Sequence, residues 1–375
     1  MKIIRLSKSC ISTKEKRSVL EVLNEGFLGM GPYVKKFEQK LSNFFSRDVV
    51  CFNSGTAAIH VALQACGIKK NDEVLVPSIT YVATYQAITA VGAKPVGCDI
   101  NEEDLQISIK DIKKKITRKT KAIIPVHLTG STSNLKEIYS IAKKNKLRVI
   151  EDAAHAFGTV YGKKKVGSFG DITCFSFDGI KNITSGEGGC LVTKDLKIID
   201  KSKDIRLLGV SGDTEKRYLG HRSWISNVKE QGYRFHMSDI NASIGLAQLA
   251  RHKYLSTKRK IICRYYDKEF SKNKKIEFFK KNYKNISPHI YIVRIRNLKK
   301  RDLLRKELLK YGIQTGIHYY PNYKFSKFKD NAKKFPITEK IYKEILTLPL
   351  HPELTLKEIK FVVFQLKKLL RKKNF

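Results

Sequence analysis

Over the first 250 residues, short apolar runs alternate with segments whose apolar positions recur every three or four residues. That alternation predicts a mostly parallel sheet joined by crossover helices. The candidate strands are VVCF (49–52), EVLVP (73–77), PVGCDI (95–100), KAIIPV (121–126), RVIED (148–152), DITCFSF (171–177) and GCLVT (189–193). Two of the helices between them have legible ends. SGTAAIHVALQACG opens on a Ser/Gly/Thr cluster suited to an N-cap and closes on Gly67, and SNLKEIYSIAKKNK begins at Ser133 with Glu137 soon after. From Leu249 to Lys260 the pattern becomes one long charged helix. It is followed by the run IYIVRIR (290–296), a helix from Arg301 to Tyr311 and a last helix from Leu356 to Arg371. The expectation is an α/β chain in two parts: a large sheet domain with helices on both faces over 1–254, and a smaller α+β domain over 255–375. No Pro/Gly/Ser-rich linker marks the join.

A chain of 375 residues with 42% hydrophobic content can bury a large core without staples. The seven cysteines are scattered, with no C-x-x-C pair and no zinc-ligand spacing, which fits a reducing, cytoplasmic setting. The opening MKIIRLSKSCISTKEKRSVL has no continuous apolar stretch of the kind an export signal needs. Val74 to Ala93 is uncharged for long enough to raise the question of a membrane span. Pro77, Ser78, Thr80, Thr84, Gln86 and Thr89 make it buried core instead, so no span is expected.

Charge alters the picture more. The formal net charge is +39, and residues 251–375 hold 35 Lys and Arg against 10 Asp and Glu. Such an excess favours anionic partners. These cations are spread through helical patterns such as KRDLLRKELLKYG, with no aromatic stacking motif and no nucleic-acid module signature. A solvated basic surface without a specific nucleic acid is the reading adopted.

The segment EDAAHAFGTVYGKKKVGSFGDITCFSFDGIKNITSGEGGCLVT (151–193) puts Asp152 at the end of one predicted strand and Lys181 just beyond another. Ligands of open α/β sheets collect at the carboxyl ends of strands, so the two would face one crevice. That pair meets the needs of pyridoxal phosphate (PLP). A lysine amine carries the cofactor as a Schiff base, and a carboxylate keeps the pyridine nitrogen protonated so that the ring accepts electrons. Each residue alone has a plainer account, the lysine as surface and the aspartate as a helix cap. Lys181, however, lies in a Ser/Thr/Gly-rich turn, KNITSGEGG, between two apolar strands, where a solvated charge has no structural task.

Ser176, five residues earlier, offers a hydroxyl to a phosphate or simply faces outward in the alternating F-S-F run. In FNSGTAAIH (52–60) a strand gives way to a Gly-containing turn and a helix. Its first backbone N–H groups, with the hydroxyls of Ser54 and Thr56, suit an anion, although an ordinary capped helix has the same sequence signs. Tyr81, in VPSITYVATYQAI (76–88), lies just past a strand end, where its ring would stack on a flat cofactor or pack in the core.

Taken in order, SGTAA, PSITYVAT, PVHLTG, EDAAHAFG, FSFDGIKNITSGEGG and GYRFHMSDINASIGLAQL resemble the DegT/DnrJ/EryC1/StrS family of sugar aminotransferases. The resemblance runs from LGMGPYVKKFE near residue 28 to LPLHPELT at 348–355. It implies the aspartate-aminotransferase-like PLP fold type I and a homodimer with active sites at the subunit interface. It also implies transfer of an amino group, usually from glutamate, to a keto sugar on a nucleoside diphosphate, with pyridoxamine phosphate as the cofactor's intermediate form. Carried over by motif, Lys181 is the Schiff-base lysine and Asp152 the pyridinium partner. His155 contacts the ring or its phenolic oxygen, Ser176, Gly55, Thr56 and Ala57 surround the phosphate, and Tyr81 stacks on the ring. His236 stands where the family usually has an Asn or Arg that reaches the neighbouring subunit's phosphate, although a histidine can still donate a hydrogen bond. GIQTGIHYYPNYKF (312–325) resembles the sugar-facing segment, with His318, Tyr319 and Tyr320 as candidate substrate contacts.

The HYYPNY loop looks closer to that of enzymes acting at C4, so a 4-keto-6-deoxyhexose destined for surface polysaccharide is expected, with a 3-keto sugar as the alternative. Relatives that dehydrate the sugar have histidine in place of the lysine, and Lys181 argues against that activity. A PLP-binding regulator of nucleic acid is a third reading, but once the family match is laid down no length remains for a helix-turn-helix.

Overall fold

Each of the seven predicted runs forms a strand, because each is a short apolar run flanked by turn residues, and all but the edge run at 94–98 are largely buried. The computed structural model describes residues 3–210, 227–228, 230–279 and 281–372. The strands are β1 (Asp48–Phe52), β2 (Glu73–Pro77), β3 (Lys94–Cys98), β4 (Thr120–Ile123), β5 (Arg148–Asp152), β8 (Ile172–Ser176) and β9 (Gly189–Thr193), with a small hairpin of β6 (Val160–Tyr161) and β7 (Lys164–Lys165) set apart. The large sheet has the order β1-β9-β8-β5-β4-β2-β3. Only β9 runs against its neighbours; every other pairing is parallel. The parallel pairing of β5 and β8 sets Asp152 opposite Cys174, so the carboxyl end of β5 lies beside the exit of β8 toward Lys181.

The helix Gly55–Ala65 packs against β8 and β9 and is buried from Ala57 to Leu63, a stretch small or apolar at every position but His60. On the other face the helix Pro32–Phe45 turns Val34, Phe37, Leu41 and Phe45 into the core, each such side chain stabilising the fold by about 2 kcal/mol when fully buried. Two helix boundaries differ from expectation. The helix Leu135–Lys144 is capped by Asn134, whose side chain accepts from the Glu137 N–H at 3.4 Å. Ser133 is fully buried and its hydroxyl is committed to Gln106 Oε1 at 3.1 Å. The single charged helix expected from Leu249 to Lys260 is divided at Arg251 into Asp239–Ala250 and His252–Phe270. Arg251 leaves the helical region there and turns its guanidinium onto the buried Glu15, 3.1 Å from both carboxylate oxygens.

The smaller part is built on an antiparallel sheet of β10 (Ile276–Phe278), β11 (Tyr291–Ile295) and β12 (Ile345–Leu348). One face, with Tyr291, Val293 and Ile295, is covered by the helices His252–Phe270, Arg301–Lys310 and Leu356–Leu370. The other, with Ile290 and Ile292, packs on Ile79, Ile100 and Leu128 of the large sheet's loops. Asp99 clamps the two parts. Its Oδ1 accepts from the Thr338 N–H at 2.9 Å and hydroxyl at 2.6 Å, and its Oδ2 accepts from the Ile337 N–H at 2.9 Å, capping the helix Pro336–Glu344. The proposed join at 254/255 lies inside the helix His252–Phe270, which runs from the Lys181 turn to the small sheet.

Candidate active site

Asp152 ends β5 and is buried. The Thr84 hydroxyl donates to its Oδ2 at 2.7 Å and the Ala154 N–H to its Oδ1 at 3.2 Å, which fixes the carboxylate at the sheet edge. Beyond β8 the chain makes a tight turn in which the Lys181 N–H donates to Asp178 O at 3.0 Å. The turn is held from the smaller part. Arg259, 3% exposed, donates to Lys181 O at 3.0 Å and Asn182 O at 3.2 Å, and Asn182 in turn donates to Ser287 O at 3.1 Å. Loss of solvent pulls the Arg259 guanidinium down to about 10. Burial likewise pushes the Lys181 amine below the ordinary lysine value, against the opposing pull of Asp178 and Asp152. A lysine so placed gives up its proton more readily than one in water.

The start of the helix Gly55–Ala65 forms the next wall. Ser54 caps it, its hydroxyl oxygen accepting from the Ala57 N–H at 3.0 Å. A Cβ at Gly55 would stand 2.7 Å from Ser176 Cβ and 3.1 Å from its Oγ, so only glycine lets the helix start approach the end of β8 this closely. The expected result of Gly55→Val is displacement of Ser176 and a loss of cofactor affinity of about fivefold to a hundredfold, since overpacking of a fitted site costs about 1–3 kcal/mol. Spectral titration with PLP measures it; unchanged affinity would mean that the cradle holds no phosphate.

Neutral imidazoles and tyrosines close the cavity. Tyr319 OH and His155 Nε2 are hydrogen-bonded at 3.0 Å, the His155 ring lies 4.2 Å from that of His289, and His318 Nδ1 is 2.9 Å from Thr347 Oγ1. Burial holds His155 and His289 well below the usual histidine range. His318 is pulled to about 4, by burial first and the Lys181 charge second. Tyr81 begins the helix Val82–Ala90 and stays exposed at the mouth, 5.6 Å from the Tyr319 ring, rather than packing in the core.

The structure thus brings Gly55, Thr56, Tyr81, Asp152, His155, Ser176, Lys181, His318 and Tyr319 onto one cavity of about 410 Å³. Ala57, His236 and Tyr320 are outside its lining. The Ala57 N–H is taken by the Ser54 cap. His236 is half-buried beside Arg234, with Nδ1 unpartnered, and Tyr320 packs edge-on against Phe325 and Tyr342. Sequence reasoning missed Thr84, Asn182, Arg259, His289 and Thr347. Thr84 and Asn182 lie within quoted segments, and their partners were the missing information.

A flat ring with a phosphate at one end fits this cavity. The glycine-opened helix start would receive the anion, and an oriented carboxylate and a deprotonation-prone lysine on the same cavity would serve the ring. Together with the sheet order, these features suit a PLP-dependent enzyme. Comparison with known proteins narrows the class: the model of the DegT/DnrJ/EryC1/StrS aminotransferase family matches residues 9–367, and the chain belongs to that family. It is 36% identical over 366 residues to GDP-perosamine synthase of Escherichia coli O157:H7, covering 96% of this chain and 97% of that one. To the spore coat polysaccharide biosynthesis protein SpsC of Bacillus subtilis it is 35% identical over 356 residues, 92% and 91% of the two chains. Among solved structures, the PMP form of a putative sugar aminotransferase from Streptococcus pneumoniae superposes with a TM-score of 0.92 at 31% identity, covering 98% of each chain. The protein is a sugar aminotransferase of nucleotide-sugar or polysaccharide biosynthesis.

Proposed function

We propose that this enzyme moves an amino group from glutamate to a nucleoside-diphosphate-linked 4-keto-6-deoxyhexose in the cytoplasm, as a homodimer with shared active sites, for surface polysaccharide or glycoconjugate synthesis. The observation that carries the reading is the placement of the Lys181 amine and the Asp152 carboxylate on one cavity, beside a glycine-opened helix start. PLP, when bound, supplies the electron sink that takes the amino group from the donor and passes it to the ketone.

The chain's own residues do the rest. Lys181 Nζ would hold the cofactor and, once the donor amine displaces it, would carry protons between the reacting carbons as base and then acid, a task its lowered proton affinity suits. Asp152, oriented by Thr84 and the Ala154 N–H, keeps the ring nitrogen protonated. Thr56, Ser176 and the helix start bind the phosphate, with Ala57 supporting the turn and His236 contributing from the neighbouring subunit. His155 meets the ring, Tyr81 covers it, and His318, Tyr319 and Tyr320 face the sugar. The relative named GDP-perosamine synthase supports a nucleotide-linked sugar, and the spore coat polysaccharide protein supports a glycan destination.

The test mixes the pyridoxamine-loaded enzyme with dTDP-, UDP- and GDP-linked 4-keto-6-deoxyhexoses and then with the 3-keto isomers, following the spectrum of lysine-bound cofactor and the mass of the amino sugar. One 4-keto nucleotide sugar is expected to react in a single turnover and far faster than its free sugar, because the remote diphosphate and base position the ketone. Efficient reaction with a simple keto acid, and with none of the sugars, overturns the substrate assignment.

A further inference from the structure

The helices His252–Phe270, Arg301–Lys310 and Leu356–Leu370 all pack on the same face of the three-stranded sheet, the face turned away from the large sheet's loops. Their outer surfaces therefore form one solvent-facing layer. On the helix Leu356–Leu370, Ile359, Val362, Val363, Leu366 and Leu369 turn inward. The outward arc carries Phe361 and Phe364, 36% and 58% exposed, and Leu356, 55% exposed. Cations surround them: Lys360 and Lys368 stand one turn before and after Phe364, with Lys357 and Arg371 in the same exposed arc. The helix's own carboxylate, Glu358, is bonded to the N-cap Thr355, accepting from its N–H and hydroxyl at 2.9 Å. On the adjoining helix, Leu303 and Leu309 are 40% and 52% exposed beside Lys306 and Lys310.

We propose that this outer layer docks on a lipid bilayer rich in anionic headgroups. A merely solvated face accounts for the lysines but not for two phenylalanines and three leucines left in water among them. A nucleic acid would use the cations and could stack on an aromatic ring, but it has nothing to offer the leucines. A bilayer uses both sets. Phenylalanine and leucine enter the boundary between headgroups and chains, while lysine stems lie along the apolar surface and place their ammonium groups among the phosphates. The attachment is peripheral: among the described residues no helix is long and apolar enough to cross a membrane. The layer faces away from the cavity, so a docked enzyme keeps its active site open.

The PLP-loaded full chain is sedimented with vesicles of phosphatidylcholine alone and of phosphatidylcholine mixed with phosphatidylglycerol, at physiological ionic strength. Co-sedimentation with the anionic vesicles only is expected. The double variant Phe361→Ser/Phe364→Ser is expected to bind them at least about tenfold more weakly, and Lys360→Glu/Lys368→Glu about a hundredfold more weakly. Both variants should keep wild-type transamination and circular dichroism. No binding at this ionic strength, or equal binding by wild type and both variants, overturns the proposal. So does tighter binding to duplex DNA or RNA than to the vesicles, or a smaller native mass of the phenylalanine variant, which would assign the face to a second copy of the chain.

Discussion

Asp152→Asn is expected to leave the fold and cofactor binding intact and to lower kcat by on the order of 10²-fold or more, as loss of a preorganised ionic partner in a dry site does. The substitution is nearly isosteric, and the amide oxygen can still accept from the Thr84 hydroxyl, which now meets Oδ2 at 2.7 Å. What is lost is the negative charge that keeps the ring nitrogen protonated. Turnover with a nucleotide-linked ketone, read beside the far-UV spectrum and the cofactor's absorbance, separates this effect from unfolding. Near-wild-type turnover would show that another group holds the proton, and among the residues lining the cavity Asp178 and Glu187 are the remaining carboxylates.

How much of this was legible beforehand depends on how local the signal is. The strands β1 to β5, β8 and β9 were readable because each is an apolar run that needs only its own neighbours to declare itself. β10 and β12 were not. They are three and four residues long, and β12 follows the helix Pro336–Glu344 directly, so no period develops and no turn residue marks the start. Local propensity makes Ser133 a cap, but Gln106, 27 residues earlier in the chain, claims its hydroxyl and the cap passes to Asn134. The break at Arg251 depends on Glu15, which the helical pattern alone does not reveal.

The site shows the same division. Asp152, Ser176 and Lys181 lie within one segment, whose strand ends place them at one edge of the sheet. Arg259 and His289 reach the same edge from the smaller part, 78 residues after Lys181 in the case of Arg259. Arg259 looks like any other cation of a charged helix, and His289 like the residue before a strand. Tyr81 could not be decided from pattern, since a ring beyond a strand end can point either way; its exposure in the structure settles that it is not core. The resemblance to a family supplied what spacing could not, namely that these separate motifs belong to one cavity.

Lys181→Arg is expected to have the largest effect of any single change, a loss of turnover of at least about 10³-fold. Arginine keeps the positive charge and most of the length but neither forms an imine nor gives up a proton in a protein, so covalent attachment and proton transfer fail together. Borohydride reduction of the wild-type holoenzyme followed by peptide mapping should place the cofactor on the peptide containing Lys181, and the variant should bind PLP only reversibly. The lowered proton affinity of this amine supplies an independent check. Because the neutral form becomes available at a lower pH than for an exposed lysine, the cofactor-free protein should form its imine with added PLP at a pH where surface lysines are still almost wholly protonated. A reduced adduct on another lysine, or imine formation that rises only near the ordinary lysine value, would remove Lys181 from the centre of the mechanism. The family assignment, which rests on the whole chain, would survive either result.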